Sequence, residues 1–210
     1  MMADTVSERL QESAVVLKET LSAPDQGVPQ DLLDAAHCVV VVPGMKTGAF
    51  VVGAKYGRGF IVCRKTARAG WGAPAAMRIE GGSFGFQIGA SETDVVMLVM
   101  NQRGMDRLLE SKFTLGGAAE VAAGPVGRSS TAQTDAKMTA KILSYSRARG
   151  VFAGVSLQGA TLRQDLDENH ALYGRRITNK QIVMKRMELP AAASELIAVL
   201  NLHSPHESAD

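Results

Sequence analysis

Three stretches of this 210-residue chain repeat one cadence, an apolar run closed at both ends by glycine. They are Gly48 to Gly53 around Phe50, Gly82 to Gly89 around Phe84 and Phe86, and Gly150 to Gly159 around Phe152. Short runs of branched and aromatic residues between turn formers read as β-strands. Glycine within them permits sharp bending, or the close approach of another backbone or a ligand. The similarity is too thin for a repeat array. The chain has 21 glycines and only 5% aromatic residues, which suits tightly turned β structure better than a helical bundle. Many short, glycine-kinked strands predict a strongly curved or closed antiparallel β-sheet, barrel-like, with few exposed edges. Flanking N- and C-terminal helices make the class α+β.

Val6, Leu10, Ala14, Leu17 and Leu21 recur at helical spacing, with Glu8, Glu12, Lys18 and Glu19 opposite. They predict an amphipathic helix from Thr5 to Leu21, broken at Pro24, with a short helix over Gln30–Ala36 after it. Strands are expected at Cys38–Val42, Ala49–Ala54, Gly59–Arg64, Met77–Ile79, Ser83–Ile88 and Val95–Met100. Turns are expected at Pro43-Gly44, Tyr56-Gly57 and Ala90-Ser91. Asn101 can cap a helix reaching Ser111. Later strands are read at Ala119–Val126, Ile142–Arg147, Val151–Leu157 and Ala160–Gln164, and Ala136–Leu143 fits a helix equally well. A short helix follows Asn179. Pro190 opens a last one over Ala191–Leu202, and the tail from His203 is expected to be loose. This divides the chain into helical 1–34, a β-rich body 35–189, and 190–210 as helix and tail, all within one structural domain.

The net charge of +2 conceals an asymmetry. Met1 to Asp34 holds seven acids and two bases, while the next 45 residues, Ala35 to Ile79, hold seven bases and no acid. The bases are Lys46, Lys55, Arg58, Arg64, Lys65, Arg68 and Arg78, set among strand-like runs. Two more acid-free runs, Ala136–Gln164 and Asn169–Met187, each carry five bases. A folded surface that concentrates positive charge attracts phosphates or anionic lipid headgroups. An ordinary solvated face is the alternative. Trp71, between two glycines, reads as an interfacial anchor or as a core plug.

Other classes fit poorly. Nucleic acid is disfavoured by the moderate pI, the few stacking aromatics and the lack of a reading motif. Ser129, Ser130, Thr131 and Asp135 form a polar cluster without a neighbouring base. Gly53 to Gly59 carries neither a dinucleotide fingerprint nor a P-loop lysine. Asp165, Asp167 and Asn169 begin like a calcium loop, but His170 and Arg176 occupy its glycine and glutamate positions, so a polar turn is expected there. No metal or cofactor is implied. Cys38 and Cys63 adjoin apolar runs and are read as buried free thiols, with a disulfide open only in an oxidising compartment. No apolar run approaches the roughly 18–20 residues that span a bilayer. Met1–Leu10 is polar and acidic, unlike a signal peptide. The doubled Met1-Met2 leaves open a trimmed leader. The expected location is the periplasm or envelope in that case, and otherwise the cytoplasm, peripheral to the membrane.

The order Pro43, Gly48 to Gly53, Gly57-Arg58-Gly59-Phe60, Gly70 to Pro74, Gly82 to Gly89, Ala123 to Gly127, Ser144 to Gly159, then Asp165, Asn169 and Tyr173-Gly174 resembles the SYLF domain family. The likeness is dense from Leu33 to Gly174. It implies an α+β module, without catalytic activity, that binds phosphoinositides or other anionic phospholipids at a peripheral membrane surface. By analogy with eukaryotic relatives it also implies contact with actin. No SH3 module is read in this chain, and that form is similar to bacterial members.

The basic lipid-binding surface of the family carries over to Lys46, Lys55, Arg58, Arg64, Lys65 and Arg68, with Trp71, Arg147 and Arg149 added. The acidic polar face of the first helix suits packing on the sheet better than insertion into a bilayer. The alternative function is a protein-interaction scaffold of the cell envelope with incidental lipid contact.

Overall fold

The run Val39–Val42 has no alternation of apolar and polar residues, as expected for a strand covered on both faces. In the computed structural model it lies at the centre of a strongly curled, open half-barrel. The structure describes residues 5–23, 27–49, 53–66, 69–83, 89–116, 121–126, 140–148 and 150–205. The strands are β1 (Cys38–Ala49), β2 (Gly53–Thr66), β3 (Ala69–Trp71), β4 (Ala75–Ser83), β5 (Gly89–Val99), β6 (Lys112–Thr114), β7 (Val121–Ala123), β8 (Ile142–Ala148), β9 (Val151–Gly154) and β10 (Thr161–Gln164). The order across the sheet is β6-β10-β4-β2-β1-β5-β8-β7, with β3 beside β2 and β9 beside β8. The pairings are antiparallel except that of β7 with β8.

The helices are α1 (Val6–Ser22), α2 (Gln30–Ala35), α3 (Gln102–Leu108), α4 (Leu166–Tyr173), α5 (Asn179–Met184) and α6 (Ser194–His203), the last entered through a 3-10 turn at Ala191–Ala193. Strand alternation splits the core in two. Cys38, Val40, Val42, Ile61, Met77, Ile79 and Met97 line a first face and pack with Leu108, Phe113, Ile177 and Ile182. Val39, Val41, Phe60, Val62, Ala76 and Leu98 line the second, under Leu10, Leu17, Leu33, Leu196 and Leu200 of α1, α2 and α6. Leu10 and Leu17 are fully buried and contribute roughly 2 kcal/mol each. As expected, α1 therefore packs on the sheet. Its start is fixed by a capping box, with the Glu8 N–H donating to Thr5 Oγ1 and the Thr5 N–H to Glu8 Oε2.

Three expected turns are absent. Pro43-Gly44 is a bulge inside β1, where the register against β2 shifts between Val41 and Lys46, and Gly44 takes φ +55°. Tyr56-Gly57 lies within β2, and Ala90-Ser91 within β5. The glycines of β2 serve packing instead: a Cβ at Gly59 would lie 1.9 Å from the Val41 carbonyl oxygen. The expected strand Ala49–Ala54 divides, because Ala49 ends β1 and Gly53 opens β2, with 50–52 outside the described residues. Most of Ser83–Ile88 and residues 136–139 also lie outside them.

Two polar readings also change. Asp165 to Asn169 form no polar turn: Asp165 caps α4, with its carboxylate accepting from the Glu168 N–H. Asn169 and Asn179 are fully buried. Asn169 Oδ1 accepts from the Ala76 N–H at 2.7 Å, and Asn179 Nδ2 donates to the Ala76 carbonyl at 3.0 Å. Two side chains thus satisfy the β4 backbone just beyond the last residue of β4 paired with β10. The tail expected to be loose is held through Ser204 and Pro205, whose carbonyl accepts from the Gly70 N–H. Cys38 and Cys63 are not free thiols. Directly opposite each other on β1 and β2, they form a disulfide, because antiparallel pairing sets two cysteines within bonding reach.

Candidate anion-binding surface

The alternation of β2 distributes the expected basic residues over both faces. Tyr56, Arg58 and Arg64 share the second face with Phe60 and Val62, while Lys55 and Lys65 share the first with Ile61 and Cys63. Lys46 is exposed and stands opposite Tyr56 and Glu92. Arg68 and Arg149 lie outside the described residues, as do Ser129, Ser130, Thr131 and Asp135. The basic surface expected as one patch is therefore divided.

Several of the cations are committed to the fold. Arg64 Nε donates to the Ala36 carbonyl, and Nη2 to Ser204 Oγ at 2.8 Å and to the Leu33 carbonyl. Its guanidinium covers Trp71. Trp71 is 1% exposed and donates from Nε1 to the Ser204 carbonyl, which makes it a core plug and not an interfacial anchor. Arg147 pairs with Asp94 at 2.9 Å and with Glu19. Burial raises the Asp94 carboxyl above its ordinary range, against the Gly44 N–H that stabilises its charge. Arg58 faces Asp165 and Glu168 and bonds the Tyr56 hydroxyl. Burial opposes its charge, yet Asp165, Tyr56 and Glu168 outweigh that effect and hold its pKa above the ordinary value.

Lys65 is different. It is exposed, makes no ion pair among the described residues, and borders a cleft of about 270 Å³ on the first face. One wall comes from Cys63, Arg64, Gly72 and Ala73. The other comes from α5 and the turn after it: Ile182, Val183, Arg186, Met187, Glu188 and Leu189. This cleft joins two acid-free runs of the sequence that are far apart along the chain, at Lys65 and Arg186. Its walls are apolar and its rim is mostly basic.

Arg186 is held in an unusual backbone state. It has φ +49°, the only positive φ of a non-glycine among the described residues. The Met187 N–H bonds the Ile182 carbonyl, the closing bond of a Schellman cap whose left-handed position is usually glycine. Arginine there costs roughly 1 kcal/mol relative to glycine. Sequence reasoning placed Arg186 in a basic run but had no signal for this conformation or for its meeting with Lys65.

The family model described as "Ysc84: Las17-binding protein actin regulator" matches residues 80–203. The chain belongs to the Ysc84 family. This is the family of the SYLF resemblance. Among its relatives, SH3 domain-containing protein PJ696.02 of Schizosaccharomyces pombe is 36% identical over 187 residues, covering 88% of this chain and 43% of that protein. Protein YSC84 of Saccharomyces cerevisiae is 32% identical over 84% of this chain and 38% of its own length. SH3 domain-containing YSC84-like protein 1 of Homo sapiens is 32% identical over 86% of this chain and 52% of its own. This Ysc84-family chain thus spans about half the length of the curated relatives it matches, or somewhat less.

Proposed function

We propose that this Ysc84-family chain is a non-catalytic binding module that docks on anionic phospholipid surfaces, with the Lys65–Arg186 cleft as the point of contact. The observation that carries the reading is the meeting over apolar walls of two cations, Lys65 and Arg186, that have no ion pair among the described residues, one of them in a strained backbone position. Strain of that kind persists where the surroundings hold it, and it clusters at ligand sites. Each Lys or Arg near an anionic membrane contributes about 1 kcal/mol. Arg64, Lys65 and Arg186 against Glu188 leave an excess of two positive charges among the residues that line the cleft. Val183, Met187 and Leu189 offer apolar surface to the glycerol or upper acyl region of a lipid. Arg64 also borders the cleft, but its guanidinium and the Trp71 ring are engaged with Ser204 and with each other.

Vesicle flotation of Arg186→Gly tests this with little confusion from folding. Glycine suits the left-handed position, so the variant should melt at or above the wild-type temperature while losing about fivefold in affinity for anionic vesicles. Unchanged affinity would remove the cleft from the account.

A second reading, a protein contact in actin regulation, is favoured by the family description, which falls on residues 80–203. Co-sedimentation with actin filaments in the absence of lipid would support it.

A further inference from the structure

On the second face, away from the cleft, strand register places four cations in a row. Arg58 is directly opposite Arg78, Arg78 opposite Arg163, and Arg163 opposite Lys112. Adjacent strands are about 4.8 Å apart, so the row spans roughly 14 Å. Like charges directly opposite each other destabilise a sheet, and here three such pairs are consecutive.

The neighbouring acids do not neutralise the row. Arg58 is drawn to Asp165 and Glu168 at the start of α4, at 3.3 and 3.2 Å. Arg78 and Arg163 share one carboxylate, Glu80, with Nε at 2.8 and 3.5 Å from its two oxygens. Neither Nε forms a hydrogen bond, although both are shielded from solvent. Lys112 is exposed and has no ion pair among the described residues. Three cations therefore surround a single carboxylate, an excess of two positive charges.

We infer that Arg78, Arg163 and Lys112 form a binding site for a phosphomonoester. Such a group carries close to two negative charges at neutral pH, which matches the excess. Guanidinium forks bind phosphate oxygens in pairs, with a geometry that lysine alone does not provide. The arginine side chains remain about one-third exposed, 31% for Arg78 and 38% for Arg163, so an incoming ligand can reach them. Thr161 stands opposite Glu80, and its hydroxyl lies 3.0 Å from that of Thr114. These two add neutral hydroxyls beside the row. Glu80 holds the arginines in the empty site and competes with the ligand. The site is independent of the proposed cleft, which lies on the opposite face.

The test titrates the full chain with inorganic phosphate by calorimetry and, in a second arm, with vesicles containing phosphatidic acid. Wild type should bind at least one of them. Arg78→Gln and Arg163→Gln should each weaken that binding tenfold or more. Because each variant removes like-charge opposition, its melting temperature should be unchanged or higher. Glu80→Gln should bind several-fold more tightly. Binding of inorganic phosphate identifies a soluble ligand, and binding of the vesicles alone identifies a lipid-borne one; both support the site when the arginine variants lose it. Wild type that binds neither probe, or arginine variants that bind as wild type does, overturns it. Lys65→Glu/Arg186→Glu should leave phosphate binding intact, so failure of the cleft and failure of the row are read separately.

Discussion

The guanidinium carbon of Arg64 lies 4.2 Å from the centre of the Trp71 ring, and both side chains bond Ser204. This joins β2, β3 and the end of α6, and it ties the Ala36 carbonyl to the same point. Trp71→Ala should cost about 3–5 kcal/mol. Arg64→Glu should cost about 3 kcal/mol or more, because it leaves several carbonyls and the buried face of the Trp71 ring without their partner. Urea unfolding measures both. An Arg64→Glu variant as stable as wild type would contradict this role.

The Cys38–Cys63 bridge closes a loop between residues 25 apart in sequence, which corresponds to about 3 kcal/mol of chain-entropy stabilisation. Thiol titration in denaturant without reductant should find no free cysteine, and reduction should lower the urea midpoint. Two titratable thiols in the unreduced protein would show that the strands pair without the bond.

Tyr145 is buried, and its hydroxyl makes no hydrogen bond among the described residues. Burial, aided by the charge of Asp31, raises its pKa far above the ordinary value near roughly 10. The unfolded tyrosine loses its proton first, so the native state binds more protons in alkaline solution. Stability is fully present below pH ~10 and falls above it, by about 1.4 kcal/mol per pH unit for this group. Tyr145→Phe should flatten that decline in a pH series of unfolding curves. An identical decline would assign it to other groups.

Gly59 separates two explanations of the glycine content. If its purpose is close strand approach, Gly59→Ala meets the Val41 carbonyl oxygen and should destabilise by about 3 kcal/mol. Gly48→Ala, where a Cβ has no neighbour within 4 Å, should cost far less. Equal effects at the two positions would reject the packing explanation.

Short apolar runs kinked by glycine, together with the SYLF resemblance, were enough to read a curled sheet flanked by helices, because strand periodicity and glycine bending are written locally. At Pro43-Gly44 and Tyr56-Gly57 the glycines serve a bulge and a close strand approach instead of turns, because a residue that permits a turn permits these equally and only the partner strand decides between them. The charge excess was legible, but its geometry was not. Whether Arg64 faces solvent or Trp71, and whether Arg163 stands opposite Arg78, depends on pairings between residues distant in sequence. The left-handed Arg186 left no trace in composition, because the Schellman position usually announces itself as glycine.

The most direct measurement is co-sedimentation with neutral and phosphatidylglycerol vesicles at low and physiological salt, comparing wild type with Lys65→Glu/Arg186→Glu. Wild type should bind only the anionic vesicles, less at higher salt. Each reversal should remove about 2 kcal/mol, roughly thirtyfold in affinity, without a change in melting temperature. Wild type that ignores anionic vesicles, or a folded double variant that binds them equally well, would contradict the account.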